Sequence, residues 1–264
     1  MRHALRGAAL GLLSACQYEV TPEVPVPSGP FVGSVDLVWA PTSYAVDANF
    51  TEPQFAMTGC PGTQAGACCA YSQPQLDLSR GGTEPITVSA GTIAVVDGAQ
   101  TVGSFGFQGI GYTPLSSASS SGVPQLFWNP GDTLLISADG GAVDAFSSSI
   151  VAPPAFTDVS PALSIASQIA VRLSQDFTVT WTPQKAVTAS VTLQLFDPTG
   201  FYVDCTAADS AGTITVPTAA MGSILSGDNG YVTLSRLVSQ QVSSPNATIT
   251  LTAEATEPGL ATFQ

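Results

Sequence analysis

The chain has 264 residues, with 19 Asp and Glu against 6 Lys and Arg, a formal net charge of −13 and a single histidine. A phosphate backbone must be met by several Lys or Arg side chains, so that balance excludes nucleic acid as a partner. With 44% hydrophobic and only 9% charged residues, and with 25 Gly and 20 Pro, the composition is that of a folded, turn-rich β protein rather than a disordered one.

In chain order, the first stretch with chemical meaning is Leu13-Ser14-Ala15-Cys16, preceded by Arg2, His3 and Arg6 and by an apolar run over residues 8–15. Charged, then apolar, then small is the order of an export signal. These residues resemble the lipobox of a bacterial lipoprotein signal peptide. The resemblance implies cleavage before Cys16, lipid on its thiol and amine, and, because Gln17 rather than Asp follows, an outer-membrane address exposed at the cell surface. The membrane is then a partner through the lipid alone, each buried methylene contributing about 0.8 kcal/mol. The apolar run is far shorter than the roughly 20 residues of a spanning helix.

Loss of residues 1–15 removes His3 and leaves Arg80, Arg172, Lys185 and Arg236 against all 19 acids, a side-chain balance of −15. Without an imidazole there is no Ser-His-Asp or Cys-His catalysis and no His-ligated zinc. A P-loop needs Gly-Lys-Ser or Gly-Lys-Thr, but the only lysine sits in Gln184-Lys185-Ala186. The glycine-rich residues 103–111 lack GxGxxG spacing and read as a strand edge or turn, and no G-x-S-x-G elbow occurs. No cofactor is expected beyond the covalent lipid.

Residues 17–30 carry Pro22, Pro25, Pro27 and Pro30 and read as a semi-extended tether that reaches at most about 43 Å at roughly 3.1 Å per residue. From Phe31 onward the dominant signal is alternation with period two. Val35, Leu37 and Trp39 share one face, and Phe177, Val179 and Trp181 alternate with threonines. Val191, Leu193 and Leu195 alternate with Ser190, Thr192 and Gln194, and Ile249, Leu251 and Ala253 repeat the pattern near the end. One apolar and one wet face per strand predicts antiparallel sheets packed as sandwiches. Turn chemistry separates the runs at Asp97-Gly98, Asn129-Pro130-Gly131-Asp132, Asp139-Gly140-Gly141, Asp197-Pro198-Thr199-Gly200 and Asp228-Asn229-Gly230. Residues 218–225 are the one helical candidate, with Met221, Ile224 and Leu225 at helical spacing. Residues 114–124 read as a Ser-rich loop.

The natural boundary is Ala152-Pro153-Pro154-Ala155. The expected organisation is therefore a signal peptide over 1–15, lipidated Cys16 and a linker over 16–30, one sandwich over 31–153 and a second over 154–264. A single large double sheet with this segment as a loop is the rival. Several stretches are similar to recurring features of uncharacterised bacterial surface lipoproteins with paired immunoglobulin-like or fibronectin-type folds. They are the Cys60, Cys68 and Cys69 cluster, residues 128–134, residues 140–146, Thr178-Val179-Thr180-Trp181, and Cys205 followed by residues 212–217. The likeness implies an all-β fold of two antiparallel immunoglobulin-like sandwiches and an exposed address. It carries no catalytic residue across.

Three constellations remain. In an exported chain Cys60, Cys68, Cys69 and Cys205 are disulfide candidates. Adjacent strand residues point to opposite faces, so one of Cys68 and Cys69 closes a short loop with Cys60 and the other reaches Cys205, stapling the halves. Asp139, Asp144 and Asp228 lie in acidic turns that supply the oxygen ligands calcium takes, although Asp also favours turns for its own backbone bonding. Trp128, beside Phe127 and before a turn, is a candidate sugar or ligand platform, with Phe105, Phe107 and Tyr112 behind it, whereas Trp39 and Trp181 read as core. The expected function is a non-catalytic binding or adhesion module for a protein or polysaccharide. The alternatives are a structural envelope component and a two-carboxylate glycosidase.

Overall fold

The computed structural model describes residues 30–41, 43–52, 59–75, 86–115, 128–184 and 188–264. Cys16 and the rest of the expected signal and tether before residue 30, Phe127, and the Ser-rich segment from 116 onward lie outside them. The described chain is built on sixteen strands in three sheets, with residues 73–75 helical and two short 3-10 turns.

The spine is a hairpin of β15 (Asn229–Ser244) and β16 (Ala247–Phe263), paired without a bulge from Asn229↔Thr262 to Ser244↔Ala247. Sixteen paired residues at about 3.4 Å each make it roughly 54 Å long. Because the alternation never shifts, one face of the hairpin points inward along its whole length. Ala247, Ile249, Leu251 and Ala253 enter one hydrophobic cluster, and Val232, Leu234, Ala261 and Phe263 enter a second.

The other edge of β16 carries β1 (Phe31–Ala40), in parallel from Phe31↔Ala247 to Trp39↔Ala255, and then β10 (Gln168–Val171), parallel to its last turn of strand. The expectation of purely antiparallel pairing fails at these two ladders. Parallel strands need a long connection between them, and β1 and β16, at opposite ends of the described chain, have nearly all of it. Pro258 and Gly259 lie in the gap between the two ladders, where a missing amide donor is tolerated.

Outward from β1 lies β2 (Ser43–Thr51), and outward from β15 come β12 (Ser190–Asp197), β13 (Phe201–Ala208), β4 (Cys68–Ser72) and β3 (Thr63–Ala65). This nine-stranded sheet takes strands from both sides of residue 153. Over one half of it packs the five-stranded sheet β7-β6-β5-β8-β9 (β7 Tyr112–Pro114, β6 Gln100–Phe107, β5 Ile93–Asp97, β8 Thr133–Ala138, β9 Phe146–Val151), closing a sandwich filled by Phe50, Ile93, Phe105, Leu134 and Ile136. The pair β11 (Phe177–Thr180) and β14 (Thr213–Val216) covers the other half.

Two local expectations change. Residues 218–225 make only a 3-10 turn at Thr218–Ala220; Met221 and Ile224 still plug the second cluster, but Leu225 is 57% exposed. The turn before β15 is made at Gly227, with φ 96°, while Gly230 is already in the strand. A Cβ there would collide with the Phe196 carbonyl and the Phe263 ring.

The two halves of the sheet are locked where they meet. Arg236, fully buried on β15 between Leu234 and Val238, donates from Nε to Asp209 Oδ1 at 3.0 Å. Its Nη1 donates to the carbonyls of Pro154 (2.7 Å) and Ala155 (3.1 Å), and its Nη2 to that of Thr182 (3.2 Å). The guanidinium lies 4.2 Å from the Phe156 ring centroid. Trp181 Nε1 and the Gln184 amide, each at 2.8 Å, complete the partners of Asp209. The Ala152-Pro153-Pro154-Ala155 segment is thus fastened to the spine.

Candidate functional site

The outer face of the sheet over the second cluster carries a row of aromatic side chains. Register sets it: Tyr71 on β4 lies opposite Tyr202 on β13, Tyr202 opposite Phe196 on β12, and Phe196 opposite Tyr231 on β15. Directly opposed side chains are near neighbours on one face. The rings accordingly meet at centroid distances of 5.3 Å (Tyr71–Tyr202), 4.8 Å (Phe196–Tyr202) and 6.1 Å (Phe196–Tyr231), with interplanar angles of 12°, 31° and 20°. Rings this close and this parallel cover one another's faces and turn their edges outward. Tyr231 at the spine is 47% exposed, and the other three are half-buried.

One step along the strands the same face becomes polar. Asp204 accepts from Tyr71 Oη at 2.6 Å and from Gln194 Nε2 at 2.8 Å. The Cys60–Cys69 disulfide, on the outer side of β4, ties residues 59–62 against this face. Between that loop and the end of the row is a cleft of about 390 Å³, walled by Pro61, Gln64, the disulfide, Tyr71 and Asp204. That volume lies at the lower end of small-ligand sites. Cys68, the neighbour of Cys69, points inward and bonds Cys205, both buried. The sequence had left open which of the adjacent cysteines takes which partner, and the pleat of β4 decides it.

The electrostatics are one-sided. Of the two basic side chains among the described residues, Arg236 is buried in its ion pair, and only Arg172 reaches the surface. A partner that docks on this face meets Asp204 and a negative protein field, which repels anions and favours neutral or basic groups.

The other sequence candidates lie elsewhere. Trp128 is 2% exposed and packs edge-to-face on Tyr44 at 5.0 Å within the first hydrophobic cluster, so it is core and offers no platform. Phe127 is outside the described residues. Phe105 is buried, and Tyr112 packs on Phe50 and Phe107 while its hydroxyl accepts from the Ala90 amide at 2.6 Å. Asp139, Asp144 and Asp228 do not converge: among the described residues no group of three His, Cys, Asp or Glu is placed to hold a metal ion. No helix among them is long and apolar enough to cross a membrane. The cleft presents one carboxylate, Asp204, whereas acid/base hydrolysis of a glycoside requires two.

The aromatic row was not anticipated from the sequence, although half of it was readable there. Phe196 falls on the wet face of the Val191, Leu193, Leu195 strand, and Tyr202 falls symmetrically across the Asp197-Pro198-Thr199-Gly200 turn. Two aromatic residues on the polar parity of one hairpin place their rings side by side on its outer face. Tyr71 and Tyr231 join only through pairings that close on folding.

No family model matches the chain, and no curated protein matches it. Among solved structures it is similar to the crystal structure of a tetra-tandem repeat in the extending region of a large adhesion protein, at 15% identity and a TM-score of 0.21, over 88% of this chain and 49% of that one. The chain thus spans about half the length of that structure, and a superposition this loose transfers neither a fold nor a residue role.

Proposed function

We propose that this chain is a non-catalytic binding or adhesion module, held at a bacterial surface by lipid on Cys16 and the proline-rich tether, whose paired sandwiches present the aromatic row and its cleft to a partner. The supporting observation is the placement of the two ends. The tether leads into Phe31, which is paired with Ala247 at one end of the spine, while Tyr231 is paired with Leu260 toward the other. Thirteen residues of β16 separate those levels, about 44 Å at roughly 3.4 Å each. A membrane tether and a contact surface at opposite ends of a stiff hairpin suit display. Tyrosine adds to the fit, because it offers rigid amphipathic area at small entropic cost. The partner class is an uncharged or basic protein or polysaccharide surface.

The test is binding to glycan and protein arrays at low ionic strength, with turnover read separately, comparing the native protein with Y231S and Y202S/Y231S. Central aromatic anchors of an interface contribute about 2 kcal/mol or more, so the double variant should lose binding about 30-fold or more with its fold intact by circular dichroism. Undiminished binding by the double variant would move the site elsewhere, and turnover of any bound glycan would remove the non-catalytic reading.

A further inference from the structure

We propose that the parallel ladder between β1 and β16 is a mechanical clamp, loaded in shear when the chain is pulled between the tether and its C-terminal end. The inference goes beyond the binding reading and stands without any ligand, because it follows from strand direction. The tether pulls β1 backward from Phe31, and a load at Gln264 pulls β16 forward. The two strands run the same way and pair over nine consecutive residues, Phe31↔Ala247 to Trp39↔Ala255. Opposed pulls at the two ends strain all of those hydrogen bonds together, whereas pulls at a single end would part them one after another.

The tether end of the ladder and the C-terminal end of β16 are both pinned, so the two points at which load enters are held. At the tether end, the Phe31 amide donates to the Asn246 carbonyl at 2.8 Å. The Asn246 side chain clips the hairpin tip to the second sheet, donating to the Ala142 carbonyl (2.8 Å) and accepting from the Asp144 amide (2.9 Å). At the far end, the Gln264 amide donates to the Val171 carbonyl (2.9 Å) and its carbonyl accepts from Leu173 (2.7 Å), while the Phe263 carbonyl accepts from Gly227 (2.7 Å). Side chains lock the register between them. Phe31, Val35 and Leu37 from β1 and Ile249, Leu251 and Ala253 from β16 are each at most 2% exposed in one core. A slip of one residue would turn them to solvent, and a slip of two would push each into a site shaped for another.

The disulfides set how far the chain extends once the clamp gives. Through Cys60–Cys69 and Cys68–Cys205, the covalent path from Phe31 to Gln264 bypasses most of the middle of the chain. About 90 residues are left to stretch, roughly 310 Å at about 3.5 Å each, against about 820 Å when the bridges are reduced.

The experiment is single-molecule pulling of the mature chain in two geometries, one with handles at the N-terminus and the C-terminus, the other with handles at the N-terminus and at position 245 on the hairpin tip. The first loads the ladder in shear and the second peels it from one end, in the same folded protein with no residue of the ladder altered. The clamp predicts a rupture force several-fold higher in the first geometry, with the oxidised chain then lengthening toward the shorter contour and the reduced chain toward the longer. Equal forces in the two geometries, or a higher force on peeling, would overturn it.

Discussion

Replacing Arg236 with Met tests how the two halves of the structure are joined. Met keeps most of the volume of the side chain and removes everything polar: the Nε bond to Asp209 at 3.0 Å, the bonds to the carbonyls of Pro154, Ala155 and Thr182, and the cation over Phe156. Asp209 keeps its bonds from Trp181 and Gln184 but becomes a buried charge without a counterion. Breaking a buried pair from one side costs about 3–5 kcal/mol, a large share of the roughly 5–15 kcal/mol that holds a domain together. Replacing both partners is different, because removing a whole buried pair is often neutral or stabilising. R236M/D209N should therefore recover part of the loss. Urea unfolding followed by tryptophan emission is the assay, since Trp181 donates to Asp209 itself at 2.8 Å. A cost below about 1 kcal/mol for R236M, or a double variant as unstable as the sum of the singles, would refute the reasoning.

The two disulfides should be worth different amounts. For sequence separations of 137 and 9, chain entropy gives about 5 kcal/mol for Cys68–Cys205 and about 2.6 kcal/mol for Cys60–Cys69. Thermal melts of C68A/C205A should accordingly fall well below those of C60A/C69A, and equal melts would count against that order. Asp36 tests electrostatics on the wet face of β1. Burial raises its carboxyl above the ordinary 3.8, and the charges of Asp47, directly opposite, and Glu254 push the same way against hydrogen bonds from Ser34 and Thr252. A raised acid favours the folded state while it holds its proton and gives that stability up as pH climbs from about 3.8 through the folded value. D36N should therefore be more stable than the native protein at neutral pH, with a flatter profile through the acid range. A less stable D36N at pH 7 would contradict the sign.

The strands and both cores were legible because period-two alternation is a local property. Val35, Leu37, Val179, Val191, Leu193, Leu195, Ile249 and Leu251 all lie at 1% exposure or less, on the faces their spacing predicts. Topology was not legible, because nothing local in residues 31–40 announces a partner two hundred residues later, nor in residues 68–72 a place beside β13. Trp128 misled for a related reason: an aromatic beside a turn reads the same whether the chain carries it to a rim or beneath the sheet. The opposite parities of Cys68 and Cys69 were readable, whereas the choice of which one faces inward depends on how β4 sits in the sheet. Arg236 gave no sign of its importance, being a lone cation in a strand of otherwise ordinary alternation.

The most direct test of a lipid-held surface module is the intact mass of the native protein extracted from membranes, taken together with its fate when whole cells are treated with an external protease. A lipid-anchored, surface-displayed protein has the mass of residues 16–264 plus acyl chains and is lost on protease treatment. An unacylated mass, or a protein that survives the protease, would contradict that reading.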